Sequence, residues 1–221
     1  MIRAAIGSGW IAGIAVLLAL GVWQVERRAW KRDLIARVDA RLHAPPVPPP
    51  LRARPDDAYA RVAVSGRYLP GRDTFVQAVT ARGPGWWVLT PLRTADGRLI
   101  LVNRGFASGR SAPPSAQTRV TGLLRLSEPG GGFLRSNDPA ADRWYSRDVA
   151  AIAARRGLGP VAPYFIDADA ASPASSAQPV GGLTVVRFSN NHLVYALTWF
   201  TLAAMTLAGF LYWLRLGSRA R

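Results

Sequence analysis

Residues 193–214 read LVYALTWFTLAAMTLAGFLYWL, 22 positions without a charge, closed by Arg215, Arg219 and Arg221. As a helix this run reaches about 33 Å at ~1.5 Å per residue, enough for a hydrocarbon core of roughly 30 Å. A second charge-free run of 22 residues covers Ala4 to Val25. A cleaved signal peptide is one reading of it, since Arg3 supplies a positive start. Such an apolar region runs about 7 to 15 residues and closes in a small-x-small site. Here it closes in Trp23-Gln24-Val25-Glu26-Arg27-Arg28, which favours a retained anchor. Two spans place both termini on one side of a membrane and the intervening chain on the other. Charge leaves the orientation open: Arg3 and the C-terminal arginines favour cytoplasmic termini, whereas Arg27, Arg28, Lys31 and Arg32 argue the reverse, and intervening domains of this length are translocated largely regardless of charge.

At 221 residues the chain holds one modest domain besides the spans. Hydrophobic residues make up 49% and charged ones 19%, which excludes a disordered chain. The net charge is +15, yet Lys31 is the sole lysine, so the excess reflects arginine-rich codon usage more than a built polyanion site. With no cysteine, disulfides, thiol nucleophiles, Cys-ligated zinc and iron–sulfur clusters are excluded.

Working inward from the spans, Trp30, Leu34, Ile35, Val38 and Leu42 recur at helical spacing among charges, so residues 26–44 extend the first span (1–25) as an amphipathic helix. Prolines 45, 46, 48, 49 and 50 make 45–50 a stiff, extended spacer in which His43 and its neighbours are solvated. A β-rich extramembrane domain fills 51–189, with short strands expected at Tyr59–Val64, Thr74–Val79, Trp86–Thr90, Leu99–Asn103, Val120–Leu126, Tyr164–Ala168 and Leu183–Phe188. Ser146–Arg156 reads as a helix with Ser146 as N-cap and Gly157 as stop, and Ala170–Pro179 as a surface loop. The second span takes 190–214 and a basic tail 215–221. The fold class is therefore an α+β membrane protein: a two-helix transmembrane hairpin carrying a mostly antiparallel β domain with one or two helices.

Catalytic motifs are missing from the sequence: there is no GxSxG, HExxH, GxxxxGK[ST] or GxGxxG after a strand. No enzymatic role is therefore expected. Gly130-Gly131-Gly132 lacks the Lys and hydroxyl of a phosphate loop and reads as a turn. Asp56-Asp57 and Asp167 with Asp169 offer oxygens to a hard cation, but acids beside turns are ordinarily solvated. The diffuse spread of arginines points to anionic lipid or a protein partner, not to nucleic acid. His192 opens the second span, with Tyr195, Ala196 and Trp199 on its helix face. In an antiparallel hairpin Trp23 and Gln24 come level with it. Two readings stand: an interfacial belt of aromatic and polar side chains, or an apolar aromatic pocket with an imidazole suited to haem iron and Arg27 or Arg28 set to meet haem propionates.

The blocks Leu20-Gly21-Val22-Trp23-Gln24-Val25-Glu26-Arg27 with Trp30-Lys31, Gly85-Trp86-Trp87-Val88-Leu89-Thr90-Pro91 and Val102-Asn103-Arg104-Gly105-Phe106 resemble, in order, the Surfeit locus protein 1 family. So do Asn137-Asp138-Pro139, Trp144-Tyr145, Arg147-Asp148, Pro163-Tyr164-Phe165-Ile166-Asp167, and Asn190-Asn191-His192-Leu193 with Tyr195-Ala196-Leu197-Thr198-Trp199. Val25 stands where leucine is commoner, and the proline spacer is peculiar to this chain.

The resemblance implies cytoplasmic (or matrix) termini and a periplasmic (or intermembrane-space) domain. It further implies an assembly factor for cytochrome c oxidase that holds haem a transiently and aids its insertion into subunit I, with haem a synthase as a possible second partner. His192 then matches the axial ligand, Tyr195, Trp199 and Trp23 pack the macrocycle, Gln24 orients a polar edge and Arg27 balances a propionate. An Arg-rich presequence is lacking before the first span, so the expected setting is a bacterial inner membrane. Two rivals remain: a non-haem scaffold that stabilises an oxidase intermediate, and a membrane enzyme acting on haem or quinone, for which clustered acid–base groups are missing.

Overall fold

The structure, a computed structural model, describes residues 2–113, 117–170, 179–186 and 188–219. It contains α1 (Ile2–His43), β1 (Arg61–Tyr68), β2 (Thr74–Thr80), β3 (Gly83–Thr94), β4 (Leu99–Ala107), β5 (Gln117–Leu126), β6 (Gly131–Gly132), β7 (Arg135–Ser136), α2 (Val149–Arg155), β8 (Val161–Ala168) and α3 (His192–Arg219). The chain divides into a helical unit, Met1–Arg37 with Arg187–Arg221, and a β unit, Val38–Val186.

In the helical unit both helices are long and apolar enough to cross a membrane, and few residues of either apolar stretch are buried within the protein. Large apolar side chains such as Ile11, Val16, Leu18, Leu197, Leu202 and Met205 face outward. Helices of this kind are not the core of a soluble fold. They are candidate spans.

The least exposed positions recur every three or four residues: Gly7, Trp10, Ile14, Leu17, Gly21 and Gln24 on α1; His192, Ala196, Trp199, Ala203, Thr206, Phe210 and Trp213 on α3. Such rows form a seam between helices packed at a shallow angle. Trp10 stacks on Phe210 with centroids 6.2 Å apart, Gly21 lies beneath Phe200, and Gln24 meets His192, so the two helices run antiparallel. Gly21 leaves room for the Phe200 ring of the opposite helix, a use of small residues common at helix contacts in lipid.

The β unit closes into a barrel. Its strands follow the order β1-β5-β8-β4-β3, and β3 returns to pair with β1 at Gly66↔Thr94 through Tyr68↔Leu92. Every pairing is antiparallel except β4 with β8. Strand β3 is long enough to serve two partners: its first half pairs with β2 and its end with β1. The period of two along a strand divides the core. Ile100 and Val102 of β4, with Tyr164 and Ile166 of β8, point into the barrel beside Val62, Leu92 and Leu124. Leu101 and Phe165 point outward, where Trp144, Val149 and Ile152 cover them. Strands buried on both faces read as the continuous apolar runs seen in β4 and β8.

Several sequence expectations are corrected. Residues 183–186 and 188 of the expected strand Leu183–Phe188 form no strand, because both edges of β8 are already taken by β5 and β4; ahead of them Val180 bridges to Phe106. Asp148, not Ser146, caps α2, accepting the Ala151 N–H at 3.1 Å. Ser146 instead donates to the Glu128 carbonyl at 2.6 Å. The proline segment is extended but is stitched to the barrel. Val47, the only residue of 45–50 with an N–H, donates to the Arg61 carbonyl at 3.0 Å, and its own carbonyl accepts from Ala63 at 2.9 Å. The Tyr164 hydroxyl donates to the Pro50 carbonyl at 2.5 Å. His43 is the last residue of α1, not part of the proline segment. Most of the expected loop Ala170–Pro179 lies outside the described residues.

Asp142 ties the segment before α2 to the helix end. It accepts from Trp144 Nε1 at 2.7 Å and from Arg156 Nη2 at 2.7 and 2.9 Å, while Arg156 Nε donates to Thr74 Oγ1 at 2.8 Å. Burial raises the Asp142 carboxyl, but the hydrogen bonds from Trp144 and Arg156 and the charges of Arg156 and Arg110 outweigh it and hold the group below its ordinary value.

Two outcomes follow. A Cβ on Gly21 would stand 2.5 Å from the Phe200 ring; Gly21→Ala should lower the Tm of the detergent-solubilised chain, and adding Phe200→Leu should restore part of the loss. A carboxylate with a depressed folded pKa adds stability above its unfolded value, about 3.9, that is lost as pH falls through the folded one. The Tm gap between wild type and Asp142→Asn should therefore be widest near pH 7 and shrink as pH is lowered below about 3.9.

Candidate functional site

The first helical bond of α3 runs from the Tyr195 N–H to the Asn191 carbonyl at 3.3 Å, which makes His192 the opening residue of the helix. Its side chain reaches back across the seam. Nδ1 lies 2.7 Å from Oε1 of Gln24, a residue only 9% exposed. An amide oxygen only accepts, so Nδ1 carries the proton and donates. In the neutral ring the lone pair is then on Nε2, the nitrogen that does not face Gln24. This is the tautomer that ligates a metal through Nε2.

The other predicted residues divide by position. Trp199 sits in the seam rows and is half-buried. Trp23 and Tyr195 lie off the rows and are 52% and 55% exposed, so they do not enclose a cavity with His192. One residue of helix turns the side chain by about 100°, and that step takes Trp23 away from the face shared by Gly21 and Gln24. Arg27 is exposed and stacks on its own neighbour, with Cζ 4.0 Å from the Trp30 ring. A haem ligand fits the chemistry of this imidazole: the ring is oriented by Gln24 and its outer nitrogen faces away from that contact. An enclosed pocket made by these side chains does not fit the exposure of Trp23 and Tyr195. Among the described residues no cluster of three His, Asp or Glu could hold a bare metal ion.

Of the acids singled out as cation ligands, Asp57, Asp167 and Asp169 are otherwise engaged. Asp57 accepts the Arg54 N–H at 2.7 Å in the short turn Pro55–Asp57, where Asp56 is exposed. Asp169 pairs with Arg61 at 2.6 Å. Asp167, 2% exposed, accepts from Asn103 Nδ2 at 2.8 Å, Arg125 Nη1 at 2.9 Å, Thr184 Oγ1 at 3.0 Å and Arg147 Nη1 at 3.2 Å. Arg147 also grips Glu128, with Nη2 at 2.6 Å and Nε at 3.0 Å, and lies over the Phe165 ring. Burial works against the Arg147 charge, yet Glu128 and Asp167 more than offset it and raise its pKa. Gly131 and Gly132 pair with Arg135 and Ser136 in a short hairpin.

The SURF1 family profile matches residues 11–204, from within the first apolar helix to within the last. The chain belongs to the SURF1 family. It is 34% identical to Surfeit locus protein 1 of Rattus norvegicus, over 87% of this chain and 70% of the relative. The human protein of that name shows 34% identity over 85% and 70%, and the SURF1-like protein of Monosiga brevicollis 34% over 91% and 85%.

In this SURF1-family chain, three of the blocks that carried the resemblance meet at one carboxylate: Asn103 from one, Arg147 from another and Asp167 from a third. Sequence reasoning treated Asp167 as a solvated acid. Its place on β8, two residues from the apolar Phe165 and therefore on the same covered face, was the available signal. Removing one member of a buried ion network strands the others and costs on the order of 3–5 kcal/mol. Asp167→Ala should lower the Tm of the chain accordingly, and urea unfolding should give a lower midpoint.

Proposed function

We propose that this SURF1-family protein is an assembly factor for a haem–copper cytochrome c oxidase that holds haem a and aids its insertion into subunit I. The observation that carries the reading is the Gln24–His192 contact, at 2.7 Å, which leaves His192 Nε2 free to ligate. Bound at His192, haem a would bring the redox-active iron that the oxidase needs. The chain's own part is to bind and to release. His192 ligates the iron, Tyr195, Trp199 and Trp23 give aromatic surface to the macrocycle, and Arg27 neutralises a propionate. Gln24 acts on the imidazole, as developed below. Trp23 and Tyr195 stand open, which suits a cofactor in transit better than one retained for turnover. No enzymatic step is assigned to the chain.

The proposed setting is a bacterial inner membrane, with both termini cytoplasmic and the barrel on the periplasmic side. Partners are oxidase subunit I, a haem a synthase as supplier, and the bilayer. A second reading is favoured by the same hydrogen bond, because an imidazole and an amide can simply brace two helices in lipid. On that reading the protein is a scaffold for an oxidase intermediate and carries no haem.

The visible spectrum of protein purified from cells that make haem a separates the two. A Soret band in the wild type that is lost in His192→Ala is expected. Its absence from the wild type, or its persistence unchanged in the variant, rejects the haem role.

A further inference from the structure

Gln24 is the one carboxamide in the charge-free run from Ala4 to Val25, and it is turned inward. Burying a primary amide in an apolar seam costs free energy unless it is hydrogen-bonded. Its partner is the imidazole of the opposite helix, and the atom in contact is the ring nitrogen that a macrocycle would not use. Free histidine rings favour the proton on Nε2, the wrong nitrogen for ligation through that atom. A fixed acceptor opposite Nδ1 reverses the preference and also fixes the ring plane.

We infer that Gln24 is a positioning residue that sets the tautomer and orientation of His192 and does not itself touch the cofactor. The inference rests on the proposed ligand role only for its purpose; the tautomer itself is a property of the protein without haem. Both ends of the bond come from different helices, so the ring is oriented only while α1 and α3 stay in register. The Gly21–Phe200 contact, three residues along α1, secures that register.

The test is nitrogen-15 NMR of the full chain in lipid nanodiscs, without haem, with histidine labelled and the rings neutral. The chain has two histidines, so His43→Gln assigns the spectrum. The His192 ring should show the Nδ1–H form in the wild type. Gln24→Met, similar in shape but without the amide, should shift it towards Nε2–H, and Gln24→Glu, which keeps an acceptor, should retain Nδ1–H. A wild-type ring protonated on Nε2, or an Nδ1–H form that survives Gln24→Met, overturns the inference. With haem a, Gln24→Met should weaken binding about 10- to 100-fold, the usual effect of losing such a partner, and Gln24→Glu should recover most of it. If the wild type binds no haem while the tautomer responds as expected, the haem reading fails and the positioning role stands.

Discussion

Polar groups on the apolar seam of two candidate spans have few partners other than one another, and the hydrogen bond from His192 to Gln24 follows from that constraint. An unpaired amide or imidazole there would lose the water it has outside and gain nothing in exchange. The pairing fixes which faces of the helices meet, because a rotation of either by one residue separates the two side chains. The small residues Gly21, Ala196 and Ala203 lie on the same rows and are buried. The contact thus joins helix register to imidazole chemistry.

The barrel solves a separate problem by similar means. Asp167 is a charge placed on a strand that is buried on both faces, and it is tolerated because Asn103, Arg125, Arg147 and Thr184 all donate to it. Those donors come from β4, from β5, from the approach to α2 and from the segment after β8. One carboxylate therefore ties together elements far apart in the chain. Gly105 shows the same economy of space: its φ is +127° and a Cβ would overlap the Val180 carbonyl. Asn103, Gly105, Arg147 and Asp167, all within the motif blocks of the β unit, thus serve its architecture.

The legible parts of the fold were those with a one-dimensional period. Runs of 22 uncharged residues gave the helices, and alternating or continuous apolar segments gave six of the seven expected strands. Residues 183–186 have the composition of a strand and form none, because both edges of the preceding strand β8 are taken by β5 and β4, a fact about neighbours. The helix at Ser146–Arg156 was placed correctly within three residues, yet Ser146 was drawn away from capping by the Glu128 carbonyl. Proline spacing foretold an extended segment at 45–50, while the pairing of Val47 with β1 depended on where β1 lay.

By itself the sequence determined that two apolar helices flank a β-rich unit and that His192 opens the second of them, since hydropathy and periodicity are local properties. It also brought Trp23, Gln24, His192 and Tyr195 to one level. Only the tertiary structure decided which of them meet: helix rotation buries Gln24 against His192 and turns Trp23 and Tyr195 outward. The fate of the acids was likewise a tertiary matter. Whether a carboxylate is solvated, ligating or ion-paired depends on what the rest of the chain carries to it, and for Asp167 the chain carries two arginines.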